Sequence, residues 1–268
     1  MASAIKLSDA SRFHTIAPLL QQCNNDFPDH AALDALAQRH AVLNAQGMAL
    51  SFVQPHQTDY ERTIFATGKV ATRPQNWHDL FNAFAWLSFP RAKALLNRLH
   101  VEALAEEEGG GRSKQRDVLT LFDESGMVVL CADATLAQLL RGFQWAELFW
   151  QRRDAVRSHM RFHVFGHALH EQLLVPYKGI TGKAVIVEAD TSLLRQSVEV
   201  QLAYMDQAVC EHFTQPKALE STRSLQPVPV LGIPDWHPES ENANYYLDTS
   251  HFRPGRALRK KKAPPERG

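Results

Sequence analysis

The 268 residues, 44% of them hydrophobic, can bury a sizeable core in one large domain or two small ones, which excludes a fibrous or low-complexity chain. Lys and Arg balance Asp and Glu at 29 each, so no strongly basic or acidic character marks the chain as a whole. Cys23, Cys131 and Cys210 are far apart and none forms a C-x-x-C pair, which argues against a disulfide framework or a cysteine zinc site and for a reducing, cytoplasmic setting.

The first twenty residues, MASAIKLSDASRFHTIAPLL, hold no apolar stretch behind a basic start, so no secretion leader is expected. Ser8 to Asn44 reads as two helical patterns interrupted at Asn24-Asn25 and Pro28, the second with Leu33, Leu36, Ala37 and Leu43 on one side. Met48 to Val53 and Thr63 to Val70 are apolar or alternating runs between turn formers and read as short strands. From Asn76 a helix is expected, with Asn76 as N-cap and Asp79 three residues on. At about 100° per residue, Trp77, Leu80, Phe81, Phe84 and Leu87 share one face, and His78, Asp79, Asn82 and Trp86 another. Phe89-Pro90 ends or kinks it, and Pro90 can open a second helix whose Ala92, Leu95, Leu96, Leu99 and Ala103 form a core stripe.

Ala105 to Gln115 is charged and Gly-rich, a mobile surface loop by composition. DVLTLFDESGMVVLCAD reads as two strands joined at Asp123 to Gly126, a β-hairpin. Asp133 to Asp154 reads as helix with a break at Gly142. Phe162 to Phe165 is expected as strand, Gly166 as a corner and His167 to Leu174 as helix. Ala184 to Asp190 follows as strand and Thr191 to Phe213 as a long helix. The Pro-, Asn- and Trp-rich remainder reads as an irregular wrap. The longest apolar run, Met127 to Ala132, is far too short to cross a bilayer.

His78 and His167 both fall at helix starts, where partial positive charge and unpaired N–H groups push an imidazole towards its neutral form and welcome an anion. A neutral imidazole can act as general base or bind a divalent metal. Asp79 lies beside one histidine, and Glu171 four residues from the other. Capping alone would explain Asp79, but an aromatic ring at Trp86, one turn beyond Asn82, implies that this face is covered or lines a cleft. Asp117, at an expected strand start, is a further candidate, while Asp123 and Glu124 read as turn formers. Arg91 and Arg253 are candidates for gripping an anion. His159, His163, His167 and His170 would form a ladder only on one continuous helix, which Gly166 and the β-rich Phe162 to Phe165 oppose. HALHEQLL does not satisfy H-E-x-x-H, because position 174 is Leu174.

G-x-S-x-G, the Walker loop and G-x-G-x-x-G after a strand are all missing from the sequence, so serine hydrolase, nucleotide triphosphatase and dinucleotide oxidoreductase readings fail. Arg256 to Gly268 carries six Lys or Arg against Glu266, a tail of +5 that leaves −5 on the rest. It is expected to be disordered, and without a basic patch on the body it argues against nucleic acid as the partner.

"TRPQNWHDLFNAFAWLSFPRAKALLN", followed in order by "RDVLTLFDESG", "FGHALHE" and "GIPDW", resembles the proteobacterial family known only as domain of unknown function 3025, over Tyr60 to Pro254. The resemblance implies a soluble bacterial protein and places His78, Asp79, Asn82, Asp117, His167 and Glu171 in family motifs without roles. The helical start and basic end lie outside it.

The expected fold is a single α+β domain over 1–254, an antiparallel hairpin core surrounded by helices, with a lead-in at 1–58, the family-like core at 60–254 and a disordered tail at 255–268. The expected function is a hydrolase-type acid-base enzyme acting on a small anionic substrate. Its catalytic groups are His78, Asp79, Asp117 and His167, and its substrate-binding groups Asn82, Trp86, Arg91 and Glu171, with a divalent metal as the one cofactor in view. The alternatives are a docking module anchored by Trp86 and, third, a nucleic-acid binder.

Overall fold

In the computed structural model, residues 11–23, 26–55, 59–106 and 113–255 are described. The Asn24-Asn25 break, the tail at 256–268 and the 107–112 part of the expected loop lie outside them.

The chain forms an α+β domain around a four-stranded sheet of β3 (Gly126–Cys131), β4 (Met160–Val164), β5 (Thr181–Glu188) and β6 (Gln226–Pro229), in the order β4-β3-β5-β6. The β3/β5 pair is parallel, and the β4/β3 and β5/β6 pairs are antiparallel. Every residue of β3 is buried because both faces of the sheet are covered. Met127, Val129 and Cys131 enter one core with Phe81, Phe84, Trp86 and Phe149. Val128 and Leu130 enter a second with Phe122, Phe165, Met205 and Phe213. Burial on both sides is why GMVVLC is continuously apolar instead of alternating.

The lead-in contains α1 (Ala17–Gln22) and α2 (His30–Arg39), the latter capped by Asp29, whose side chain accepts from Ala32 N–H at 2.8 Å. Leu33, Leu36 and Ala37 are buried as the pattern requires, but Leu43 is exposed and sits in an isolated bridge to Ala49. A two-stranded parallel ladder joins β1 (Ser51–Val53) to β2 (Lys69–Ala71). Most of the strand expected over Thr63 to Val70 is instead α3 (Tyr60–Thr67), capped by the Asp59 side chain and ended by Gly68 at φ 72°.

Next come α4 (Trp77–Ser88) and α5 (Pro90–Glu106), which meet at Phe89-Pro90. The Asp206 carboxylate satisfies the first N–H groups of α5, accepting from Arg91 at 3.1 Å and Ala92 at 2.8 Å. The expected hairpin is corrected at its first arm. Residues Lys114–Ser125 form α6, capped by Ser113, and Val118, Leu119 and Phe122 recur at helical spacing as its buried stripe. The antiparallel partner of β3 is β4, reached through α7 (Ala134–Arg141), a π-helical turn at Glu147–Gln151 and α8 (Arg153–His159). The break at Gly142 is observed. The strand, Gly corner and helix around Gly166 are present as β4 and α9 (His167–Gln172). The long helix is α10 (Val198–Phe213), preceded by a 3-10 turn at Leu193–Arg195 and followed by α11 (Pro216–Leu219) and an irregular segment of short 3-10 turns and β6. Among the described residues, no helix is long and apolar enough to cross a membrane.

Candidate active site

Three helix ends meet beside β3. His78 is the second residue of α4, His167 the first of α9, and Asp123 and Glu124 lie in the last turn of α6. Gly166 makes the junction close. A Cβ there would stand 2.3 Å from the Glu124 carbonyl oxygen, so only a bare Cα lets α9 start against the end of α6.

The two imidazoles, 89 positions apart in the chain, meet edge to face with centroids 4.5 Å apart. His78 Nδ1 donates to Glu171 Oε2 at 2.9 Å, since a carboxylate only accepts, and Nε2 is the ring's other nitrogen. His167 Nε2 stands 3.5 Å from Glu124 Oε2 and Nδ1 stands 3.8 Å from Asp123 Oδ2, neither a normal hydrogen bond. His167 is buried, and burial pulls its pKa down to about 4 against the opposing pull of Asp123, so the ring is neutral at pH 7. Burial pushes the Glu124 carboxyl up, and the nearby Asp123 charge adds to the rise. The ligating atoms of His78, Glu124 and His167 all lie within 4.8 Å of one another.

Beneath the two imidazoles runs a buried polar chain. Lys93 Nζ donates to Asp123 Oδ1 at 2.5 Å and to Asn82 Oδ1 at 2.9 Å, and Asn82 Nδ2 donates to the Tyr60 hydroxyl at 2.6 Å. Burial alone would raise Asp123, but Lys93 and the neighbouring histidines outweigh it and hold it below its ordinary value. On the far side, Glu61 accepts from Asn97 Nδ2 at 2.6 Å, and burial together with Asp123 pushes it up to about 7.

Of the expected site residues, His78, His167 and Glu171 converge, and the others do not join them. Asp79 turns away to a bidentate pair with Arg73 at 2.8 Å on each oxygen, the geometry of a structural clamp. Burial raises its carboxyl, but the Arg73 bonds overcome this and lower it. Asn82 sits one layer below, on Lys93. Trp86 is 1% exposed, with the Lys93 ammonium 5.5 Å over its ring, so it is neither a substrate contact nor an exposed anchor. Asp117 opens α6 at the end opposite Glu124. Arg91 bonds Gln207 Oε1 at 3.1 Å on the α5/α10 side, and Arg253 Nε bonds the Ser250 carbonyl. The supposed ladder is broken by β4. His163 bonds Gln201 and His14, and His170 stacks on Phe81 with centroids 5.4 Å apart.

Asp123, Glu124 and Lys93 were missed. D-E-S-G looks like a turn, and only the helical spacing of Val118, Leu119 and Phe122 behind Ser113 would have put both acids on a helix end. Lys93, Asn97 and His100, at i, i+4 and i+7 of a helix otherwise read for its apolar stripe, are the legible trace of the buried chain.

The model of the family described as Protein of unknown function (DUF3025) matches residues 29–256, so the chain belongs to that family. The match begins earlier than the resemblance implied and takes in α2. No curated protein and no solved structure matches the chain.

Proposed function

We propose, from the premise of a family without an assigned activity, that the chain is a hydrolase-type acid-base enzyme of the bacterial cytoplasm acting on a small anionic substrate at the junction of α4, α6 and α9. One observation carries the reading: two imidazoles at 4.5 Å, with a carboxylate behind one and Glu124 beside the other, gathered from separate elements. His78 is about one-third exposed, so a substrate can reach it, and Glu171 on Nδ1 fixes the orientation of the ring. The N-terminus of α4 supplies partial positive charge to an anion. The docking alternative required an exposed Trp86, and that ring is buried.

The test compares p-nitrophenyl phosphate with p-nitrophenyl acetate as probes for the wild type, His78→Gln and Asp79→Asn. The reading expects turnover of the phosphate ester, a loss of about 10²- to 10⁴-fold in kcat for His78→Gln, and a small change for Asp79→Asn, whose carboxylate serves Arg73. Equal losses in both variants, or none in His78→Gln, would overturn it.

A further inference from the structure

We propose that His78, Glu124 and His167 form a binding site for one divalent transition-metal ion of the zinc class, with Glu171 and Asp123 as the carboxylates behind its two imidazoles. This rests on the reading of the cluster as a hydrolytic site and names what activates its water.

The cluster poses an electrostatic problem for an anionic substrate. Asp123, Glu124 and Glu171 bring three carboxylates against the single ammonium of Lys93. The excess of two negative charges repels an anion, and a divalent cation cancels it. Glu124, in the last turn of α6, sits where the helix dipole also favours a cation.

The geometry fits. Zinc bonds of about 2.0–2.1 Å in a tetrahedral site set ligand atoms roughly 3.3 Å apart. His167 Nε2 and Glu124 Oε2 are already at 3.5 Å, and the widest spacing allowed by the cluster, 4.8 Å, needs a closure of roughly 1.5 Å. Glu124, 40% exposed and at a helix end, can supply that closure by a side-chain turn.

The nitrogen not facing a carboxylate behind the ring is the one assigned to the metal. Glu171 takes the Nδ1 proton of His78, and Asp123 faces Nδ1 of His167, so each Nε2 is left as the ligating atom, the carboxylate-histidine-metal arrangement. His167 is buried between two carboxylates with no normal hydrogen bond to either: its Nδ1 is unpartnered, and its Nε2 stands 3.5 Å from Glu124 Oε2, close enough for one ion to be shared between that nitrogen and that carboxylate. Two imidazoles and one carboxylate select zinc or cobalt over magnesium or calcium, and three protein ligands leave a position open for water.

The full chain, stripped with a chelator and dialysed, is titrated with Zn²⁺, Co²⁺ and Mg²⁺ by calorimetry and, for Co²⁺, by visible absorption. The expected result is one equivalent of Zn²⁺, an intense Co²⁺ spectrum of tetrahedral type and no competition by Mg²⁺. His78→Gln and Glu124→Gln, whose side chains are partly exposed and whose folding is checked by circular dichroism, should each bind more than about 100-fold more weakly. Glu171→Gln should bind about 10- to 100-fold more weakly. Failure to take up one equivalent, or wild-type affinity in both ligand variants, overturns the proposal. Hydrolysis that persists in excess chelator overturns the metal and leaves the hydrolytic reading. Stoichiometric metal without hydrolysis does the reverse.

Discussion

Lys93 keeps only 5% of its side-chain surface exposed, and its ammonium lies between Asp123, Asn82 and the Trp86 ring. Its removal leaves the Asp123 carboxylate buried without its strongest compensation. Lys93→Met should therefore cost about 3–5 kcal/mol in urea denaturation, while adding Asp123→Asn should recover a large part of that loss. Additive losses in the double variant would show that the pair contributes nothing as a pair. At this scale the sequence is legible where a side chain's role follows from its own element. Asn76 is recognisable as a cap from the residues behind it, and His78 and His167 from their places at helix starts. Lys93 and Glu124 are not, because what buries one and aims the other arrives from α4, α6 and α9 together.

At the scale of elements, the site depends on how closely α9 begins against the end of α6. Gly166 has φ −67°, an ordinary value, so its need for glycine is steric and not conformational. An added methyl would stand 2.3 Å from Glu124 O and 2.5 Å from Gly126 N, both backbone atoms that cannot rotate aside. Gly166→Ala should destabilise the fold by about 1–3 kcal/mol or more and, by pushing His167 away from Glu124, weaken Co²⁺ binding beyond what the loss of folded protein explains. Calorimetry on the fraction that remains folded separates the two effects, and unchanged affinity would refute the coupling. The same junction explains the misread hairpin. Between Asp117 and Ser125 the apolar residues satisfy a short strand pattern as well as a helix, and Asp123-Glu124-Ser125-Gly126 is a credible turn. The long-range pairing of β3 with β4 and β5 decides against it, since β3 finds both neighbours far along the chain and α6 is left to cover the sheet. The Gly166 corner, whose signals are all local, was readable, whereas the partner of β3 was not.

At the scale of the whole molecule, the distinctive cost is the number of histidines buried without charge. His170 is fully buried in one cluster with Phe81 and Phe13, and burial pulls its pKa down to about 3. His163 is pulled well below its ordinary value by burial and by His14, with Arg161 adding to the drop against the Gln201 hydrogen bond. The unfolded chain takes up these protons near pH 6.5 and the folded chain refuses them, so between about pH 6.5 and 3 the unfolded state binds more protons. Their contribution to stability is therefore whole above pH 6.5 and lost progressively as the pH falls. Glu61 works in the opposite direction. Its folded pKa of about 7 exceeds its unfolded 4.5, so over that window acidification favours the folded state through this one group. Glu124 and Asp206, also raised by burial, act as Glu61 does, but His14, His163, His167 and His170, together with the lowered carboxyls of Asp79 and Asp123, outnumber them, and the fold should weaken from pH 6.5 to 4. His170→Leu removes one titrating ring from a wholly apolar stack, keeping Phe81 and Phe13 packed on a side chain of similar bulk. Urea midpoints at pH 7 and pH 5 should show the variant gaining on the wild type as the pH drops, by roughly 1 kcal/mol for each pH unit. An identical gap at both values would mean that His170 takes up its proton in the folded state as readily as in the unfolded chain.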